Sequence, residues 1–140
     1  MAYKTIYKPV NIKKYIGDAT KIKCRSLWER NVCKFCDSNP NILKWSFEEL
    51  IIPYLNPLDN KMHNYYPDFL IQFESNNEVK SWLIEVKPNK QTYLKENASK
   101  KEKITWITNQ AKWKAAKAYC DKNGLEFKLL TEKELFNKGS

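Results

Sequence analysis

Apolar positions recur at three- and four-residue spacing in two stretches of the chain, and alternate or cluster in several others. Leu27, Trp28, Val32, Phe35 and Cys36 form the first helical stripe. Ser26-Leu27-Trp28-Glu29 opens it in the form of a capping box, and Asn39-Pro40 closes it. From Ile42 to Tyr54 the chain is rich in aromatic and β-branched residues, which predicts a strand or a bent pair of strands. Asn56-Pro57-Leu58-Asp59-Asn60 is a turn, His63 to Phe73 a second strand, and Glu74-Ser75-Asn76-Asn77 a hairpin loop. A third strand runs from about Glu78 to Lys87 and stops at Pro88. A polar, Lys-rich connection over 89–101 leads to a long helix, about Glu102 to Lys122, with Asn123-Gly124 as its stop. Its narrow apolar stripe is Ile104, Ile107, Ala111, Ala115 and Ala118. Leu125 to Leu130 alternates like a fourth strand, and Thr131 with Glu134 caps a short terminal helix.

The order α-β-β-β-α-β-α predicts an α/β fold with a small central mixed sheet of about four strands flanked by helices. A chain of 140 residues is too short for two independent cores. With no repeat and no linker, it is expected to be a single domain over 1–140 with a basic N-terminal arm at about 1–23. Hydrophobic residues at 42% and aromatics at 14% suffice for a core and exclude disorder. With only 3 Gly and neither GxGxxG nor GxxxxGK[ST], glycine-rich phosphate loops are excluded. Apolar runs such as Leu50–Ile52 fall far short of the roughly 18 residues a membrane span needs, and the first residues lack a leader-like apolar stretch. Of the four cysteines, Cys33 and Cys36 are spaced like metal ligands. They also stand one helical turn apart, Cys24 and Cys120 make no second close pair, and His63 is the sole histidine. Buried, reduced thiols are therefore favoured over zinc.

Charge is unevenly placed. Residues 1–30 hold eight basic and two acidic side chains, 31–86 four and eight, and 87–122 ten and three. An acidic middle between basic flanks suits a carboxylate site framed by a phosphate-binding surface, or lysines that merely solubilise the chain. Trp106 and Trp113, seven apart, read as core or subunit contacts, with base stacking the alternative.

Strand residues two apart share a face, so Trp82, Ile84 and Val86 point one way and Leu83, Glu85 and Lys87 the other. On the preceding strand Phe69, Ile71 and Phe73 form one face and Asp68 the opposite one. A short hairpin makes the two strands antiparallel neighbours, bringing Asp68 across from the Glu85–Lys87 end. Two carboxylates this close repel unless a hard cation lies between them, and Mg²⁺ favours oxygen ligands. Such a cation neutralises a phosphodiester oxygen and acidifies a bound water, while a lysine steadies the charge at phosphorus. A surface salt-bridge cluster is the competing reading.

Tyr66-Pro67-Asp68, followed seventeen residues after the Asp by Glu85-Val86-Lys87, resembles the signature of the PD-(D/E)XK nuclease superfamily. Arg25-Ser26-Leu27-Trp28-Glu29-Arg30, Phe35-Cys36-Asp37 and Tyr65-Tyr66-Pro67-Asp68-Phe69 are similar to the head completion nucleases of T-even-type tailed phages; transposase endonuclease subunits share the layout. The resemblance implies a restriction-endonuclease-like core and a Mg²⁺-dependent DNA endonuclease, with Mn²⁺ as substitute. It implies Asp68 and Glu85 as metal ligands, Val86 through its backbone carbonyl, and Glu29 directly or through water. Lys87 would position or activate the attacking water. A polar residue on the following helix completes the family pattern, with Gln110 the best match and Lys112 or Lys114 as alternatives. Largely sequence-independent DNA contacts are expected from Arg25, Arg30, Gln110, Lys112, Lys114 and Lys117. His63 reaches toward phosphate or simply ends a strand. The implied setting is the cytoplasm of an infected host cell or the virion, without secretion or a membrane. Head, portal or neck proteins are the implied partners, and an oligomer remains open. Two readings compete: a non-catalytic virion protein that binds DNA, and a junction-resolving or transposase-type nuclease.

Overall fold

The computed structural model describes residues 4–131. Its elements are β1 (Thr5–Ile6), β2 (Lys23–Cys24), α1 (Leu27–Ser38), β3 (Ile42–Phe47), β4 (Ile52–Asn56), β5 (Lys61–Tyr65), β6 (Phe69–Ser75), β7 (Glu78–Val86), α2 (Lys100–Asn123) and β8 (Glu126–Leu130). The terminal helix expected after Thr131 lies outside the described residues. Strands β3, β6, β7 and β8 form the central sheet in that order, antiparallel except for the parallel β7–β8 pair. This is the mixed four-stranded sheet that the pattern predicts.

The run from Ile42 to Tyr54 forms the pair of strands rather than the single one, and the strand expected from His63 to Phe73 breaks, each for a backbone reason. The run from Ile42 to Tyr54 stops at Glu48, where φ is 54°, a left-handed conformation that ends regular pairing. The run from His63 to Phe73 splits around Pro67, which has no amide to give a ladder. The pieces on the inner side of these breaks, β4 and β5, pair with each other as a separate hairpin. Asn76 and Asn77, both at positive φ, make the tight turn between β6 and β7.

The helices cover opposite faces of the sheet. On one face α1 buries Cys33 and Cys36 against Trp45, Phe69 and Ile84. The other face packs Leu83, Tyr65 and Ile52 against Trp113, Ala116 and Cys120 of α2. Both expected stripes are rotated. Leu27 and Phe35 are exposed on α1, as are Ile104 and Ile107 on α2. The buried face of α2 is Asn109, Trp113, Ala116 and Cys120, with Ala111 and Ala115 of the expected stripe packed at its margin. Ser99 and Glu102 cap this helix reciprocally, and Gly124 ends it at φ 69°.

The four thiols are buried, with Cys24 Sγ 3.6 Å from Cys33 Sγ. Burial pushes the Cys36 thiol up to about 12, which keeps it protonated.

The basic segment before α1 contributes Tyr7, Tyr15 and Ile22 to the core, and Tyr7 and Tyr15 meet Trp45 edge-on. Its anchor is Asp37, near the end of α1, which accepts from Tyr7 Oη (2.8 Å), Val10 N (2.7 Å) and Asn11 N (2.9 Å). Burial opposes the Asp37 charge, but these donors outweigh it and hold the carboxyl below its ordinary value. Asp37→Ala strands three donors and is expected to lower unfolding free energy by roughly 3 kcal/mol in urea titration. Phe35→Ala, which deletes the most apolar-looking residue of the helix from an exposed position, should change it by less than about 0.5 kcal/mol. Equal losses would mean that α1 packs through the stripe its spacing suggests.

Candidate active site

Three strands end at the same edge of the central sheet. Phe47 of β3 pairs with Phe69 of β6, and Phe69 pairs with Ile84 of β7. The residues just beyond these pairs, Glu48, Asp68 and Glu85, therefore arrive together. Asp68 is fixed twice through its own atoms. Its Oδ2 accepts from Val86 N at 2.7 Å, and its carbonyl accepts from Glu48 N at 3.0 Å. The same junction is braced from behind by Tyr15, whose hydroxyl accepts from Phe47 N (3.1 Å) and donates to Glu49 (2.9 Å).

The first turn of α1 reaches this edge from the side. Ser26 accepts from Glu29 N at 3.1 Å, as a capping residue should. The return bond differs from the expected box: Glu29 Oε1 accepts from Arg25 N (2.7 Å) instead of Ser26 N. Arg25 also grips Glu48 with both guanidinium nitrogens, one at 3.0 Å. One carboxylate oxygen each from Glu29, Glu48 and Asp68 lies within 4.8 Å of the others.

A second carboxylate group sits beside the first. Glu85 is 5% exposed and accepts from Tyr65 Oη at 2.7 Å, while Lys87 Nζ stands 3.4 Å from its other oxygen. Lys112 reaches over from α2 with its Nζ 5.7 Å from the centre of the Tyr65 ring. Burial first, and then the Glu85 charge, push the Asp68 carboxyl well above its ordinary range, against the pull of the Val86 bond. Burial raises Glu85 as well, opposed by Tyr65 and Lys87. Burial and the nearby Lys87 charge lower Lys112. Burial thus disfavours the charge on both carboxylates, most of all on Asp68, which also feels the Glu85 charge.

A divalent cation fits that donor set. Mg²⁺ holds oxygens at about 2.0–2.1 Å, so its ligand atoms stand roughly 3–4 Å apart. The three oxygens within 4.8 Å need only a small closure to meet this. A bound cation would also relieve the burial and repulsion that now raise Asp68.

Of the residues marked by sequence, Asp68, Glu85, Val86, Lys87, Glu29, Arg25 and Lys112 converge here. Arg30 instead lies with its guanidinium 5.8 Å from the Tyr7 ring centre. Gln110, Lys114 and Lys117 line a groove with Phe127 and Leu129. His63 pairs with Asp59 at 2.7 Å within the β4–β5 hairpin. Glu48 and Tyr65 are additions that no spacing marked. Glu48 follows a strand whose end only the left-handed backbone reveals, and Tyr65 belongs to a different sheet from Glu85.

A family model for the TnsA-like endonuclease N-terminal domain matches residues 39–132, which include β3 through β8. The head completion nuclease of Enterobacteria phage T4 is 38% identical over 142 aligned residues, covering 94% of this chain and 93% of that protein. No solved structure matches the chain. No helix among the described residues is long and apolar enough to cross a membrane. A restriction-endonuclease-like sheet closing on Asp68 and Glu85, a matching family model and a full-length relative agree, and the chain belongs to the family of TnsA-like endonuclease N-terminal domains.

Proposed function

We propose that this protein is a metal-dependent DNA endonuclease of the PD-(D/E)XK type that acts in phage head completion, on DNA at or protruding from a filled capsid. The observation that carries the reading is the meeting of Asp68, Glu85, Lys87 and Glu29 at one sheet edge. The phage T4 relative supports the setting. Its partners in that setting are DNA and head proteins of the portal or neck region, met in the infected cell's cytoplasm or on the virion.

Glu29, Glu48 and Asp68 would hold Mg²⁺ or Mn²⁺, with Glu85 and the Val86 carbonyl as further oxygen donors. When bound, the cation supplies a Lewis acid for a phosphate oxygen and a more acidic water. Lys87, kept in place by Glu85, orients the attacking water and steadies charge at phosphorus. Tyr65 donates to one Glu85 oxygen and leaves the other for Lys87. Lys112 adds positive charge from the α2 side, where the DNA backbone approaches. Arg30, Lys114 and Lys117 contact phosphates without reading bases, so cutting is largely independent of sequence.

Linear, circular and branched DNA, each incubated with Mg²⁺, Mn²⁺ or EDTA, test the chemistry and define the substrate. Cleavage is expected with either ion and none with EDTA; undiminished cutting in excess EDTA would falsify the mechanism.

Asp68 links function to stability. Its folded carboxyl holds a proton more tightly than the unfolded one. That contribution favours folding at acid pH and is lost as pH rises through the raised folded value. Asp68→Asn removes the charge and keeps an oxygen to accept from Val86. In EDTA at pH 7.5 the variant should melt at or above the parent temperature, with the gap narrowing toward pH 4.5. Its cleavage should fall at least about a hundredfold. A clearly lower Tm at pH 7.5 would mean that the buried charge is already compensated without metal.

Glu29→Gln and Glu48→Gln keep a hydrogen-bond acceptor but remove charge. Each is expected to lower cleavage at least about tenfold and to shift the Mg²⁺ dose curve upward. Tm should barely move, since exposed pairs such as Arg25–Glu48 contribute about 1 kcal/mol or less. A variant with parental rate and dose curve would reduce that glutamate to a partner of Arg25 alone.

A further inference from the structure

Beyond Lys87 the chain turns through Asn89–Gln91 and folds back on the first half of α2, leaving a cleft of about 330 Å³ between them. Lys90, Lys95 and Lys101 line it, together with the rings of Tyr93 and Trp106. Glu102 also borders the cleft, but its carboxylate is turned onto Ser99 N at 2.9 Å. Asn109 lines the same cleft, only 4% exposed, and its Nδ2 has no hydrogen-bond partner. Among the described residues, the other buried side-chain donors in this condition are all indoles. A buried primary amide left unpaired is unfavourable unless something else accepts from it.

One face of α2 runs from this cleft toward the carboxylate site. Lys101, Thr105, Asn109 and Lys112 succeed one another at spacings of four, four and three residues, which places them in a single stripe. Lys112, the last of them, stands over Tyr65 beside Glu85. The axial rise from Asn109 to Lys112 is about 4.5 Å.

We propose that this cleft seats one unpaired nucleotide of the DNA substrate, next to the phosphate that is cut. The proposal rests on the nuclease reading above and adds the form of DNA it takes. Tyr93 and Trp106 offer faces on which any base can stack, and the three lysines sit where its phosphates would lie. Asn109 Nδ2 supplies the donor for an acceptor on the base edge. A base still stacked in a duplex cannot enter, so ends with a single-stranded extension are the preferred substrate.

Binding in EDTA separates this proposal from the catalytic one, since no cleavage is needed to read it. A dye-labelled DNA hairpin with a flush end and the same hairpin with three unpaired thymidines, on either its 5′ or 3′ strand, would be titrated by fluorescence anisotropy. The parent protein should bind one extended hairpin at least about tenfold more tightly than the flush one. Tyr93→Ala, at a half-exposed position, should erase most of that preference while leaving flush-end affinity intact. Asn109→Leu should do the same without lowering Tm, because the amide nitrogen it deletes has no hydrogen-bond partner in the protein. Equal affinity for flush and extended hairpins would overturn the proposal, as would a preference untouched by both variants. Micromolar saturation by free thymidine 5′-monophosphate, with no gain for extended DNA, would make the cleft a free-nucleotide site and also overturn it. If extended ends are preferred but Asp68→Asn still cuts, the cleft stands and the catalytic assignment fails.

Discussion

The hydrogen bond from Val86 N to Asp68 Oδ2 is the interaction on which the site depends. It joins the first residue before β6 to the last residue of β7, so the end of the sheet and the position of the carboxylate are set by one contact. Pro67 makes that contact possible. Without an amide it cannot extend the β5 ladder, and the chain leaves the hairpin and joins the central sheet with Asp68 at its threshold. The bond also gives the largely buried Asp68 carboxylate a donor from the protein itself. Glu48 follows from the same point, because its amide donates to the Asp68 carbonyl.

Holding carboxylates this way opposes folding in the absence of a cation. Glu85 and Asp68 are both buried, which disfavours charge on each, and the Glu85 charge makes Asp68 harder still to ionise. The fold tolerates this because apolar layers pack on both faces of the sheet: Trp45 with its tyrosines on one, Trp113 with Leu83 on the other.

Much of this was readable in the chain. Two-residue alternation placed Glu85 and Lys87 on one face, and the short Asn76-Asn77 turn brought Asp68 to them. What alternation cannot show is where a strand changes sheets. The run from His63 to Phe73 looks continuous, and Tyr65 therefore gives no sign that it bonds to Glu85 from another sheet. Glu48 is hidden for a related reason, since its left-handed backbone is a property of the folded junction. The helix faces were misread because apolar side chains are spread around both. On α2 the exposed isoleucines share their stripe with Ala111 and Ala115, which do pack on the core beside Trp113.

Asp37 gives the N-terminal segment a reach beyond its size. The anchor lies eight residues from Glu29 on a rigid helix, about 12 Å along its axis. Residues 7–11 hold one end of that helix, and Glu29 stands at the other. The helix is a lever, and its fulcrum is made by residues that touch no substrate. Proteolytic trimming or a bulky fusion at the amino terminus would therefore act at a distance, loosening Glu29 while the central sheet stayed intact.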